Sequence, residues 1–91
     1  MSTDKNGFLQ RADAHIALAN EQLNESVKQG EVSASFTYGA ARYNAWMASS
    51  SVETVEDLIN GKDEIVEYFL KEYKLALEEH MKNHIETFGT Y

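Results

Sequence analysis

The apolar positions of this 91-residue chain recur at helical spacing in three stretches, parted by short polar segments. In the first, Phe8, Ala12, Ile16, Ala19, Leu23 and Val27 fall on one face of a 3.6-residue period. Gln10, Asp13, Glu21 and Lys28 take the opposite face. The pattern predicts a helix over about residues 5–29. Asp4 or Asn6 can cap it, because their side chains accept from free helix N–H groups. Gly30 follows Lys28-Gln29 in the position of a left-handed C-terminal cap.

After Glu31-Val32-Ser33, a second helix is expected over about 34–50, with Ser33 or Ser35 as N-cap. Phe36, Ala40, Tyr43 and Met47 form its main stripe, and Tyr38, Ala41, Ala45 and Ala48 a second. Trp46 widens the apolar sector further. Such a helix keeps little solvated face, which marks it as central or covered by a partner. Its small residues Gly39, Ala40, Ala41 and Ala45 allow close approach of another helix.

Ser49, Ser50 and Ser51 break the pattern. Thr54 and Asp57 then have capping-box spacing, with Ser51 an equivalent cap. The third helix is expected over about 53–88. Val55, Ile59, Val66, Phe69, Tyr73, Ala76, His80 and His84 keep register along it, and Leu58, Ile65, Leu77, Met81, Ile85 and Phe88 broaden the stripe. Asn60-Gly61 would ordinarily signal a turn. The register passes through the pair without a slip, which favours one unbroken helix. At 1.5 Å per residue that helix would be roughly 50 Å long, against ~38 Å and ~27 Å for the others. A compact domain of this size has a radius of gyration near ~12 Å. The third helix would therefore overhang its own bundle, and a second subunit is the natural cover. The fold class expected is all-α: a single-domain three-helix bundle, residues 1–91, with a long, self-associating third helix.

Composition narrows this reading. No Pro interrupts a helix, and no run alternates in the way a strand requires. With no Cys, disulfides and thiolate metal sites are excluded. The net charge is −7, and the eight Lys and Arg residues are dispersed. That disfavours nucleic acid and anionic membranes as partners, since both need a basic patch. No run approaches the ~18 apolar residues of a membrane span. Residues 1–7 lack a basic region leading into an apolar run, so no export signal is expected and the cytoplasm is the expected location.

Candidate chemistry is sparse. His80 and His84 lie one helical turn apart, a spacing that can chelate a metal. No Glu directly follows His80, so this is not the zinc-protease helix. A third strong ligand would have to be His15. The simpler reading is structural, because imidazoles near a helix C-terminus suit its dipole. The many carboxylates read as solvated faces rather than a general acid–base pair. Arg42, inside the most apolar helix, must find a partner if desolvated: an acidic residue on a neighbouring helix, or an anionic ligand. Tyr38, Tyr43, Trp46, Phe69 and Tyr73 are aromatic residues of the kind that serve cores and interface hot spots alike.

Three segments carry a family likeness: Ala14-His15-Ile16-Ala17-Leu18-Ala19-Asn20-Glu21-Gln22, Val32-Ser33-Ala34-Ser35-Phe36-Thr37-Tyr38-Gly39-Ala40-Ala41-Arg42-Tyr43-Asn44-Ala45, and Glu67-Tyr68-Phe69-Leu70-Lys71-Glu72-Tyr73. Across about residues 8–88 the chain resembles a small bacterial family of uncharacterised helical proteins, a domain-of-unknown-function group. The resemblance implies a short helical bacterial protein and carries no activity, cofactor or catalytic residue. The residues therefore point to a non-enzymatic interaction or scaffold protein acting as a homo-dimer or higher homo-oligomer, with no cofactor. Its expected contacts are Phe36, Tyr38, Arg42, Tyr43, Trp46, Phe69 and Tyr73. The alternative is a small metal- or anion-binding protein built on His15, His80, His84 or Arg42.

Overall fold

Each helix starts and stops where a side chain or a glycine changes what the backbone can bond to. The computed structural model describes residues 5–90. A single 3-10 turn, Lys5–Gly7, leads into α1 (Phe8–Glu21), followed by α2 (Gln29–Ser50) and α3 (Val55–Thr87). No strand occurs among the described residues. The all-α class and the long third helix match the sequence pattern, while the end of α1 and the start of α2 depart from it most.

The entry to α1 uses backbone conformation rather than a side-chain cap. Asn6 (φ 54°) and Gly7 (φ 77°) are both left-handed, and Gly7 occupies the N-cap with no side-chain bond to the helix. Asn6 thus does not cap α1 as expected; it supplies the conformation that Asn and Gly tolerate best. The Arg11 guanidinium donates to the Asn6 carbonyl. The other expected cap, Asp4, lies outside the described residues.

The first helix ends at Glu21, well short of residue 29. Asn24 is the cause. Its side-chain oxygen accepts from the Ser26 N–H at 2.7 Å and the Val27 N–H at 2.8 Å, while its own N–H donates to the Val27 carbonyl at 3.1 Å. This local set of bonds competes with helix continuation. Leu23 and Val27, expected on the α1 stripe, sit half-buried in the connection.

Because the turn is complete by Lys28, α2 begins at Gln29 rather than 34. The Lys28 N–H donates to Glu31 Oε1 at 2.9 Å, the glutamate half of a capping box, and the Lys28 carbonyl accepts from the Val32 N–H at 3.1 Å. Gly30 lies in the first turn of α2, without positive φ, and so does not cap α1. Ser33 and Ser35 lie inside α2 and do not cap it; the Ser35 hydroxyl donates back to the Val32 carbonyl at 3.0 Å. At the other end, the Ser49 and Ser50 hydroxyls both donate to the Trp46 carbonyl at 2.9 Å, and Ser51 Oγ to the Ala48 carbonyl at 2.7 Å.

Thr54, not Ser51, opens α3: its backbone is extended and its hydroxyl accepts from the Asp57 N–H at 3.1 Å. The helix starts at Val55 rather than about 53 and stops at Thr87 rather than about 88. Glu56 and Asp57 in the first turn and His84 in the last complement the helix dipole. Between them α3 passes unbroken through Asn60-Gly61. Beyond its end, Gly89 is left-handed (φ 79°) and the Thr90 N–H donates to the Thr87 carbonyl at 3.0 Å.

The chain divides into two compact units, Met1–Tyr43 and Asn44–Tyr91, with the border inside α2. Val32 is the buried hydrophobic residue described in the first, and Ala48 in the second. No residue of α1 or α3 is fully buried. No helix among the described residues is long and apolar enough to cross a membrane.

Candidate interaction surface

The expected contact residues fall on two helices and in both units. In the first unit, Phe36 and Tyr43 lie on one side of α2, with Tyr38 and Arg42 one turn apart on another. The Arg42 guanidinium stands 5.0 Å from the centre of the Tyr38 ring, within the range of a cation–π attraction. Arg42 is exposed. The desolvation that would oblige it to find an acidic partner on another helix is therefore missing, and its partner is the aromatic face one turn back.

In the second unit, Trp46 lies near the end of α2, and Phe69 and Tyr73 lie on α3. Phe69 is half-buried and packs edge-on against Tyr68, with ring centres 5.1 Å apart. Leu58, Gly61 and Ile65, on the same side of α3, are likewise half-buried. The adjacent side is open. Tyr73 is 57% exposed and Trp46 61%. Leu70, which falls outside the stripe expected from the sequence, is 63% exposed. Its signal was the alternation of three- and four-residue steps in Val66, Leu70, Tyr73 and Leu77.

Of the candidate ligands, His15 lies on α1 in the first unit, and His80 and His84 on α3 in the second. All three are exposed. No group of three or more His, Asp or Glu residues poised to hold a metal ion occurs among the described residues. Every described carboxylate is exposed. A shallow groove of about 400 Å³ runs along one helix only, between Leu77, Met81 and Ile85 with Glu78, Lys82 and Glu86 at its edges. The chemistry on offer is therefore that of apolar and aromatic contact, fringed by charge.

Residues 8–85 match the family described as "Protein of unknown function (DUF3144)". The chain belongs to this family. No curated protein matches it. Among solved structures, this DUF3144 chain is similar to the NMR structure of the protein NB7890A from Shewanella sp., at 44% sequence identity and a TM-score of 0.83. That likeness covers 99% of this chain and 95% of the other. It supports the all-α fold, and the family match covers almost the span over which the sequence resemblance was drawn.

Proposed function

We propose that this chain is a non-enzymatic helical interaction or scaffold protein, acting as a homo-oligomer in the cytoplasm through the apolar sides of α2 and α3. The observation that carries the reading is exposure. Among the described residues Val32 and Ala48 are the buried hydrophobic ones, whereas Tyr38, Tyr43, Trp46, Leu70 and Tyr73 are each more than half exposed. Large contiguous apolar patches on a water-soluble helix mark sites of protein contact. A Cys-free chain needs no oxidising compartment to reach its fold. Its net charge of −7 with dispersed basic residues favours protein over nucleic acid as the partner.

Light scattering across a micromolar concentration series tests the proposal. The chain is expected to run as a dimer or larger, and Tyr73→Glu to weaken assembly far more than Glu72→Ala. Equal effects of the two substitutions would mean that the contact face lies elsewhere on α3. A monomer throughout the series would remove the proposal.

A further inference from the structure

The open side of α3 has a pattern that selects its own partner. From Ile59 onward, the positions facing this side step by four, three, four and three: Ile59, Asp63, Val66, Leu70, Tyr73, then Leu77, His80 and His84. This is the a/d repeat of a two-stranded coiled coil. It spans about 39 Å of helix at 1.5 Å per residue. Every one of these positions is exposed, with Val66 at 48% and Leu77 at 45% the most sheltered of its aliphatic members. Only near-complete covering of all eight positions would approach the roughly 800 Å² per partner of a standard-size interface.

Charge decides the orientation. In a parallel pair each seam residue meets its own copy, which would press Asp63 against Asp63 in the least hydrated part of the contact. Antiparallel pairing avoids this. With Leu70 set against Tyr73 of the other copy, Val66 meets Leu77 and Asp63 meets His80. On the flank of the same register, Glu67 lies within about 3 Å along the axis of Lys74 of the other copy. Sliding the partner by one heptad in one direction brings Glu67 against Glu67, and in the other direction Lys74 against Lys74. Of these three registers only the first pairs opposite charges along this flank, and two-fold symmetry makes the favourable pair occur twice.

We infer that α3 pairs antiparallel with α3 of a second copy of this chain, in the register that sets Asp63 against His80 and Glu67 against Lys74. This deepens the homo-oligomer reading and rests on it. Polar pairs inside an otherwise apolar seam fix register, and here they fix direction as well. Seam residues include two of the candidate ligands: His80 meets Asp63, whereas His84 falls against Ile59 at the end of the seam.

The test uses the full chain and two charge-reversal variants, Glu67→Lys and Lys74→Glu, studied apart and mixed in equal amounts by sedimentation velocity. In either variant alone, like charges face each other twice across the pair, and the dimer should weaken on the order of tenfold or more. In the mixture, each lysine again meets a glutamate, and a heterodimer of near wild-type affinity should form. That recovery also proves the variants folded. If the wild-type chain is monomeric, the inference and the proposed function fail together. If the wild-type chain associates but Lys74→Glu associates as tightly, or the mixture shows no recovery, this pairing is wrong while the homo-oligomer reading stands.

Discussion

Individual residues set where helices start, stop or continue, and three of them make direct predictions. Gly7 is left-handed at the start of α1, and a Cβ there would lie 3.2 Å from Gln10 Oε1. Gly7→Ala should cost about 1–2 kcal/mol, the penalty of a left-handed conformation for an L side chain, read as a lower urea midpoint. Asn24 satisfies two backbone N–H groups with one oxygen. Asn24→Ala should lower stability by about 1 kcal/mol and let helix extend past Glu21, which amide exchange at residues 22–27 would register as new protection. The third residue, Gly61, sits within a helix with ordinary helical φ. A Cβ at that position meets Ile65 Cδ1 at a comfortable 3.7 Å. Gly61→Ala should therefore stabilise by about 0.5–1 kcal/mol; a loss of stability would mean that the chain turns at Asn60-Gly61 after all.

At the scale of elements, periodicity was the reliable guide and capping the uncertain one. The number of helices, the length of α3 and its passage through Asn60-Gly61 were all legible, because the apolar register is long and does not slip. The boundary between α1 and α2 was not. Val27 keeps the helical spacing of the α1 stripe and so argued for continuation, while the bonds that stop α1 come from Asn24, one polar residue among several. Gly30 looked like a helix end because Gly often is one, yet the glutamate one residue later, Glu31, had already opened the next helix by reaching back to Lys28. Thr54 was one of two equal readings with Ser51; its hydroxyl three residues before Asp57 is the cap the structure uses, and Thr54→Ala should cost about 1 kcal/mol of helix stability. On α3 the aromatic stripe was visible in the sequence, but its division into a half-buried side with Phe69 and an open side with Leu70 and Tyr73 is seen only in the structure.

For the whole molecule the informative fact is what remains uncovered. A chain of this size has few places to hide ten aromatic residues (one Trp, five Tyr and four Phe), and those described on α2 and α3 stand largely in water. Arg42 illustrates how this changed its reading: in a buried helix it would demand an acidic partner, whereas in the open it rests on Tyr38. His80 and His84 are exposed as well, and the proposed pairing would make them seam positions. The family match and the likeness to the Shewanella protein support the fold and leave the assembly to experiment. The most direct measurement is sedimentation equilibrium of the unmodified chain from low to high micromolar concentration. The account predicts a mass of two chains or a higher multiple, falling toward one chain only on dilution; a single-chain mass at every concentration would contradict it.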